Sequence, residues 1–520
     1  MSWRTTRAAA RSGEPSRTVA VVDLGSNSWR LVVYTFVPGR WWKRTDELYE
    51  IVRIAAHVDE RGRLSEPAIA RGLETLGVFG RFCAAAGLAP GSVHAVATSA
   101  IREAPNRDAF LAGAARATDR FAVEVVPARE EARLGYVAAA NTTTLRDGAV
   151  LEIGGGSLQL IEVRDRRAGA LESFELGAVV LTERFLADGG PATGPALDTL
   201  RAHVRSHVVK LSWLHEAGRQ LVGIGGAVRT LAAAAQRASG QPDIGIQGFT
   251  ITREALSELV SELAALPAAA RASVPGIKPA RADIILAAAV TIETVLEAGG
   301  FDGLEVTEAG LREGLFIDRE LLAGREPLLD DVRACAVCNL AVQYESDLPH
   351  AEHVATLSLE LFDSLAAEGV FAPAGGEREL LWAAAMLHDV GMTISYDDHH
   401  KHSRYLIVSA ELPGFDPRER ALIAQISRYH RKGMPKLGEL SRLARDGDQA
   451  LLERCSALVR VAEHLERGRD QAVREVSVSP GASGLRLRAT GDLTLPRWSI
   501  ERYGDSELFE RAFGQPLVVG

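Results

Sequence analysis

The chain contains the same polar turn between apolar runs twice, and this repeat constrains its fold more than any other feature. In the first copy, residues 17–36, valine-rich runs flank the turn DLGSNS at 23–28. This pattern predicts two buried strands joined by a tight connection. Asp23 lies where it can hold a cation, and the candidate anion-binding residues are Gly25, Ser26, Asn27 and Ser28. One copy alone is equally consistent with an ordinary hairpin.

The second copy favours duplicated domains. Residues 150–163, VLEIGGGSLQLIEV, align without gaps with residues 21–34, VVDLGSNSWRLVVY. The alignment places Glu152 on Asp23, so that both copies carry a carboxylate just before the turn. Duplication predicts that the two turns face each other and bind a phosphate chain from both sides. The candidate residues of the second turn are Gly154, Gly155, Gly156 and Ser157.

A third turn supports the same interpretation. Residues 221–230, LVGIGGAVRT, predict a strand that enters a helix through Gly225 and Gly226. A single turn of this kind is a weak signal. Its position after the two repeated turns favours a phosphate cleft.

Composition limits the other functions of the chain. With 520 residues and 47% hydrophobic residues, it can bury several cores, and its length predicts three or four domains. A net charge of −9 disfavours general nucleic-acid binding. The four cysteines give no disulfide framework, and no apolar run is long enough to span a membrane, which predicts a cytoplasmic protein. Residues 1–16 are expected to form a disordered tail because they lack the apolar run of a signal peptide.

Two further residues are candidates for phosphate chemistry. Residues 92–98 predict a buried strand, and Arg102 follows it, where α/β folds place ligand-binding groups. Its planar guanidinium suits a phosphate, although a surface ion pair is the simpler alternative. Glu131 lies in the first turn of a helix predicted at 128–140, between the two repeated turns, where a hydrolase needs a base for water.

Five motifs in order resemble the exopolyphosphatase and guanosine pentaphosphate phosphohydrolase family of the actin-like superfamily. They are DLGSNS at 23–28, TSAIREA at 98–104, REEARL at 129–134, IGGGS at 153–157 and AGLREG at 309–314. The resemblance implies an α/β fold with two actin-like, ribonuclease H-like domains around a cleft, at 17–134 and 135–320. An all-helical domain at 321–470 and a small α+β module at 471–520 would follow.

The same resemblance implies an activity. Water would attack the terminal phosphate of inorganic polyphosphate or guanosine pentaphosphate with the help of Mg²⁺, with Glu131 as the general base. Arg102 and the turns would bind phosphate, Asp23 and Glu152 would hold the metal, and the protein would be a homodimer. The family pattern has Asp in place of Glu152 and Glu in place of Gln159, so activity can be impaired. Arg30, opposite Gln159 in the repeat, would lose an ion partner and turn to substrate.

The helical domain resembles the HD phosphohydrolase fold. The matching ligands are His353, His388, Asp389 and Glu463, a set that suits a second divalent metal, although Glu463 replaces the usual Asp. Within exopolyphosphatases the resemblance implies a structural role for this domain. Two basic clusters, at 399–404 and 428–432, are interpreted as a surface track for long polyphosphate.

Three other functions remain open at this point. One is a hydrolase that acts through the HD-like domain while the actin-like part is only a sensor. Another is a weakly active or degenerate protein that binds polyphosphate or nucleotide without efficient turnover. A kinase is disfavoured because the GIGGAVRT turn lacks the context of an adenine pocket.

Two sequence-based strand predictions concern the ends of domains. Residues 50–58 are expected to form a strand after the opening hairpin. Residues 475–489 and 492–500 alternate between apolar and polar side chains around Pro480, Gly481 and Gly484, and both are expected to be strands.

Overall fold

The computed structural model describes residues 15–55, 61–504 and 506–519. These residues form two compact units. The first contains the described residues up to 239 together with 248–332, and the second contains 240–247 together with the described residues beyond 332.

The first sheet of the first unit is built on the opening repeat. Its strands are β1 (Arg17–Leu24), β2 (Trp29–Val37), β3 (Trp41–Glu50), β4 (Val93–Ala97) and β5 (Val123–Val125). They lie in the order β3-β2-β1-β4-β5, with β1 antiparallel to β2 and parallel to β4. Because β1 is central and covered on both faces, its residues 19–22 are all apolar and buried.

Helices cover this sheet, and the helix predicted at 128–140 is confirmed. They are α1 (Glu66–Ala85), α2 (Ser99–Arg102), α3 (Arg107–Thr118) and α4 (Ala128–Ala140). Ser65 caps α1 by accepting a hydrogen bond from the N–H of Ala68, which fixes where that helix begins. The expected strand at 50–58 is wrong for its described part, because β3 ends at Glu50 and no strand occupies 51–55. Residues 56–58 of that prediction lie outside the described residues.

The second sheet repeats the arrangement of the first. Its strands are β6 (Gly148–Ile153), β7 (Leu158–Arg164), β8 (Arg167–Phe174), β9 (Gln220–Ile224), β10 (Thr250–Thr252) and β11 (Gly303–Val306). Their order is β10-β11-β9-β6-β7-β8, so a hairpin again pairs with a parallel strand. Glu152 lies opposite Gln159 as Asp23 lies opposite Arg30, which confirms the duplication.

Six helices accompany the second sheet in the described residues, and a single π-helical turn at Ile317–Leu321 follows the last of them. They are α5 (Ala178–Phe185), α6 (Gly194–Val208), α7 (Gly226–Ala238), α8 (Arg253–Ala265), α9 (Ile285–Gly299) and α10 (Leu311–Phe316). Helix α9 is buried along almost its whole length, which explains why its sequence is apolar on all sides.

The second unit is mainly helical. Its helices are α11 (Val332–Gln343), α12 (Leu348–Ala367), α13 (Glu377–Leu387), α14 (His399–Ser409), α15 (Pro417–Tyr429) and α16 (Asp448–Leu465). Their alanine- and leucine-rich faces share one apolar core. Because long amphipathic helices are the clearest pattern in a sequence, the helical character of this region is confirmed.

The chain ends with a small mixed module. It consists of β12 (Val473–Gly481), β13 (Gly484–Gly491), α17 (Thr494–Tyr503), α18 (Ser506–Phe513) and β14 (Leu517–Val519). The hairpin β12-β13 confirms the first predicted strand pair, whereas the strand expected at 492–500 is wrong, because α17 occupies most of it. No helix within the described residues combines the length and the apolar character needed to cross a membrane.

Candidate active site

In the first unit, the ionisation of the Glu152 carboxyl depends on two other carboxylates, Glu131 and Asp23. Asp23 lies near the end of β1, Glu152 near the end of β6 and Glu131 in the first turn of α4. Burial, followed by the charges of Glu131 and Asp23, raises the pKa of Glu152 to about 8. Burial also raises the pKa of Asp23, while Arg312 opposes that shift. The repeat therefore brings its two metal candidates close to the predicted base.

Glu131 is held by Arg102. The Nη1 atom of Arg102 donates to Oε2 of Glu131 at 2.7 Å and to the carbonyl of Val126 at 3.0 Å. Burial raises the pKa of Glu131, and the hydrogen bond from Arg102 opposes the rise. In this structure the arginine predicted to bind phosphate orients the predicted base.

The first turn is anchored on several sides. The indole N–H of Trp29 donates to the carbonyl of Gly25 at 3.1 Å, and the N–H of Arg53 donates to the carbonyl of Asn27 at 2.8 Å. The hydroxyl of Ser26 lies 3.1 Å from the hydroxyl of Ser99 in α2. These contacts fix the backbone of the turn relative to the helix that carries Arg102. Ser28 is partly exposed, as Gly25 and Ser26 are.

The second turn is fixed by α5. The N–H of Gly154 donates to the carbonyl of Ser157 at 2.9 Å, which closes the turn. The N–H groups of Ala178 and Val179 donate to the carbonyls of Gly154 and Gly155, both at 2.9 Å. Gly154, Gly155 and Gly156 are exposed, so a ligand can reach this backbone. The helix thus stabilises an accessible glycine turn, as an anion site requires.

The third turn requires glycine. Gly225 has a φ of 103°, which an L side chain rarely adopts, and α7 begins directly after it. A Cβ atom on Gly226 would lie 2.1 Å from Nη2 of Arg281, so that guanidinium packs directly on the start of α7. Arg229, one turn into the helix, donates to the carbonyl of Glu308 at 3.0 Å.

Sequence reasoning missed a group of cations around this third turn. We refer to Arg30, Arg229, Lys278, Arg281 and Arg312 as the cationic group. Burial lowers the pKa values of Arg229, Lys278 and Arg281, and the positive charges of other residues in the group lower them further. Arg229 and Arg312 fall within motifs that the sequence analysis identified, but no spacing rule identifies Lys278 or Arg281.

Arg30 has an ion partner other than the one it is predicted to lose, and its contact with substrate stays a prediction. Its Nη1 lies 2.9 Å from Oε1 of Glu47, and its guanidinium lies 4.8 Å from the ring centroid of Tyr49. Both partners lie on β3, a strand that the sequence analysis did not predict. Gln159, in contrast, is 3% exposed, and its Oε1 is buried without a hydrogen-bond partner among the described residues.

In the second unit, the structure brings together three of the four predicted metal ligands. His388, Asp389 and Glu463 lie around one point, and His350 joins them. His353 lies outside this group, because its Nε2 contacts the carbonyl of Val473 at 2.7 Å. Both histidines lie on α12 three residues apart, and sequence alone did not decide which one faces the acids.

The interpretation of the two basic clusters as a surface track is also corrected. Three of their histidines are buried inside the unit, namely His399, His400 and His430. Lys401 and Lys432 are exposed but both contact Asp398, at 2.6 and 3.7 Å. The clusters therefore do not form a free row of surface cations.

The duplicated α/β lobes bring together glycine turns, a positioned glutamate and cations. This combination defines a phosphohydrolase with an actin-like fold. Comparison with known families identifies which one. Residues 38–323 match the Ppx/GppA phosphatase family and residues 332–488 match Ppx/GppA phosphatase, domain III. The chain therefore belongs to the Ppx/GppA phosphatase family.

Individual relatives agree with this assignment. The chain is 27% identical over 510 residues to a guanosine-5'-triphosphate,3'-diphosphate pyrophosphatase of Vibrio vulnificus, covering 96% of this chain and 97% of the relative. The crystal structure of the Aquifex aeolicus Ppx/GppA family member is 27% identical with a TM-score of 0.52, covering 58% of this chain and 97% of that one. An exopolyphosphatase structure from Cytophaga hutchinsonii, 23% identical, has a TM-score of 0.54 and covers 60% and 100%. This last similarity concerns the fold alone.

Proposed function

We propose that the chain hydrolyses the terminal phosphoric anhydride bond of guanosine pentaphosphate or of inorganic polyphosphate in the cleft of its first unit. The observation that carries this proposal is the pair formed by Arg102 and Glu131 at 2.7 Å. A carboxylate held in a fixed orientation beside glycine turns can orient an attacking water molecule and accept its proton. The name of the Vibrio vulnificus relative, a guanosine-5'-triphosphate,3'-diphosphate pyrophosphatase, supports the first of these substrates.

In the proposed mechanism, Glu131 orients water and accepts its proton as the water oxygen bonds to phosphorus and the bridging anhydride bond breaks. Burial keeps the pKa of this carboxyl above its usual range, which makes it a stronger base. Arg102 is a positioning residue that prevents Glu131 from rotating away. The glycine turns bind the transferred phosphoryl group, and the cationic group neutralises the remaining phosphates.

Asp23 and Glu152 fit the proposed Mg²⁺ site. Both are carboxylates, the ligands that Mg²⁺ prefers, and both have raised pKa values because burial leaves their charge poorly compensated. When bound, the ion supplies charge neutralisation for the phosphoryl oxygens. Glu152 has a longer side chain than the family's Asp and Gln159 lacks the charge of the family's Glu, so the chain has fewer well-placed ligands for this ion.

The buried, unpaired Oε1 of Gln159 favours a second candidate function. An amide at this position cannot supply the negative charge that a metal site uses, and the result would be a protein that binds phosphate chains but turns them over slowly. This alternative and the main proposal use the same cleft. They differ in the expected rate of phosphate release.

One experiment separates these functions. Phosphate release is measured side by side from long polyphosphate, guanosine pentaphosphate and ATP at saturating Mg²⁺. The proposal expects rapid release from one or both of the first two substrates and little from ATP. Tight binding of polyphosphate together with slow release from all three would establish the alternative.

The proposal also includes a cytoplasmic homodimer. The free thiols of all four cysteines support a reducing compartment. Light scattering of the purified chain measures its mass directly, and a monomer at micromolar concentration would overturn the dimer.

A further inference from the structure

The guanidinium of Arg312 lies between two carboxylates of the first unit. Its Nη1 atom lies 4.0 Å from Oδ2 of Asp23, and its Nε atom lies 3.8 Å from Oε1 of Glu313. Both distances are too long for hydrogen bonds, and Nε is buried without a hydrogen-bond partner among the described residues. Two ion pairs of almost equal length, rather than hydrogen bonds, therefore hold this guanidinium.

Glu313, unlike Arg312, is fixed by hydrogen bonds. The hydroxyl of Tyr34 donates to Oε1 of Glu313 at 3.1 Å, and the N–H of Gly310 donates to Oε2 at 2.8 Å. The second bond is the reach-back contact by which a glutamate in a first helical turn stabilises the start of its own helix, here α10. Because each carboxylate oxygen has its own donor, Glu313 cannot follow Arg312 without breaking one of these bonds.

Aromatic packing holds the donor Tyr34 in place. Its ring is 4% exposed and stacks on the ring of Phe316, with the two centroids 4.2 Å apart and the planes at 10°. Phe316 also packs edge-on against Phe36, at a centroid distance of 5.2 Å. Phe316 lies at the end of α10, and the other two rings lie on β2. These contacts attach α10 to the strand pair that carries Asp23.

The charge states support the same arrangement. Burial raises the pKa of Glu313, but Arg312 and backbone N–H donors outweigh burial and bring that pKa below its usual range. Burial, followed by the charge of Glu313, raises the pKa of Tyr34 well above its usual range. At neutral pH Glu313 is therefore a carboxylate, and Tyr34 keeps the proton that it donates to Glu313.

Loss of the charge on Glu313 would change the position of Arg312. Asp23 would then be the one carboxylate left in an ion pair with this arginine among the described residues. A guanidinium that closes on a carboxylate forms charge-assisted hydrogen bonds to its oxygens. Those are the oxygens that a divalent ion uses as ligands, so Arg312 and the ion would compete for Asp23. The donors of Arg312 would also face the protein instead of a phosphate.

We propose that Glu313 and Tyr34 are positioning residues that hold Arg312 away from Asp23. They leave the carboxylate of Asp23 to the divalent ion and the donors of Arg312 to the phosphate chain. Neither residue is expected to touch the ion or the substrate. The inference rests on the function proposed for the cleft, because it takes Asp23 as a metal ligand and Arg312 as a phosphate-neutralising residue.

Binding of Mn²⁺ to the full chain without substrate is the primary test. Mn²⁺ stands in for Mg²⁺ because electron paramagnetic resonance measures its free concentration directly. The variant Asp23→Asn identifies the part of the bound Mn²⁺ that belongs to the cleft. Glu313→Gln should raise the dissociation constant of that part by about 10-fold, because Arg312 then pairs with Asp23. Tyr34→Phe removes one donor and keeps the aromatic stack, so it should raise the constant by about 3-fold.

A double-mutant cycle separates positioning from a general structural role. Arg312→Gln removes the competing cation, so Glu313→Gln should have no further effect on Mn²⁺ binding in that background. A structural role would weaken Mn²⁺ binding equally in both backgrounds. Circular dichroism checks the fold of each variant, and Tyr34→Phe completes the same cycle if Glu313→Gln does not fold.

Two matched controls change the same chemical groups elsewhere in the unit. Glu293→Gln removes a glutamate charge that pairs with Arg201 at 2.9 Å and is 10% exposed. Tyr136→Phe removes a tyrosine hydroxyl that donates to the carbonyl of Arg166. Both controls should bind Mn²⁺ as the parent does.

The outcomes distinguish this inference from the function on which it rests. An unchanged dissociation constant in folded Glu313→Gln and Tyr34→Phe, or an equal loss in both backgrounds of the cycle, would overturn the positioning role and leave the function of the cleft intact. Mn²⁺ binding that Asp23→Asn does not alter would instead overturn the proposed metal ligand, and the positioning role with it.

Discussion

Arg102 and Glu131 form a partly buried ion pair in which Nη1 of the arginine lies 2.7 Å from Oε2 of the glutamate. The same Nη1 also donates to the carbonyl of Val126, so the arginine connects the proposed base to the end of the first sheet. A catalytic carboxylate is effective only in one orientation, because small misplacements reduce rate strongly. The orientation of Glu131 therefore depends, through Arg102, on the position of the backbone at the end of the first sheet.

Replacing Glu131 should remove the base. Glu131→Gln keeps the size and the hydrogen-bonding oxygen of the side chain but cannot accept a proton, and phosphate release should fall by about 10²-fold to 10⁴-fold. Glu130→Gln is the matched control, because Glu130 lies in the same helical turn and instead pairs with Arg133 at 2.8 Å. Initial rates with polyphosphate measure both variants. Near-parental turnover by Glu131→Gln would assign the base to another residue.

Replacing Arg102 should change the pH dependence as well as the rate. The hydrogen bond and the charge of Arg102 lower the pKa of Glu131, so Arg102→Gln should raise that pKa. Because the base acts in its deprotonated form, the acid limb of the kcat/KM profile should move to higher pH. The rate constant kcat should fall on the order of 10-fold from misorientation.

Arg102→Lys is the companion variant. It keeps the charge but loses the planar fork, so it should shift the acid limb less than Arg102→Gln does. An increase in KM with an unchanged pH profile would indicate instead that Arg102 binds phosphate directly.

The sequence predicted the duplicated lobes because the repeat determines both the strands and their register. Asp23 and Glu152 occupy equivalent ladder positions, which a gap-free alignment can identify. The sequence-based prediction failed at β3, Trp41–Glu50, because its partly exposed, charged residues give no clear apolar alternation. It also failed at α17, Thr494–Tyr503, because an alternating pattern over a few residues does not separate a strand from a short helix.

The sites were predicted less completely. The glycine turns and the proposed base, Glu131, lie in local motifs, but the cationic group forms only when distant segments such as those of Arg30 and Arg281 meet in the folded chain. The choice between His350 and His353 depends on the rotation of one helix about its axis. Three residues correspond to most of a helical turn, so both positions fit a histidine pattern.

Removing a cation of this group should weaken substrate binding more than catalysis. Arg281 is partly buried and burial lowers its pKa, so its charge is poorly compensated without an anionic ligand. Arg281→Gln should raise KM for polyphosphate by about 10-fold, roughly the loss of one charge-assisted contact, with little change in kcat. Arg219→Gln, an exposed residue paired loosely with Asp302 at 3.8 Å, is the control. Equal KM values for both variants would exclude a role for Arg281 in binding.

The last prediction concerns the residues opposite each other on β6 and β7, Glu152 and Gln159. The double change Glu152→Asp with Gln159→Glu restores the family pattern and adds a carboxylate where a buried amide oxygen has no partner. In metal-free protein the added buried charge should repel its neighbours and lower Tm. Because Mg²⁺ compensates that charge, adding it should raise Tm more in the double variant than in the parent.

The same variant should also need less Mg²⁺ for half-maximal phosphate release and should turn over faster. A carboxylate misplaced by about 1 Å can cost on the order of 10²-fold in rate, which sets the largest gain to expect. The single variant Gln159→Glu separates the effect of charge from that of side-chain length. If the parent already releases phosphate rapidly and the double variant is slower at every Mg²⁺ concentration, then Glu152 and Gln159 are adaptations of this cleft. The alternative of a protein that binds phosphate chains but turns them over slowly is then excluded.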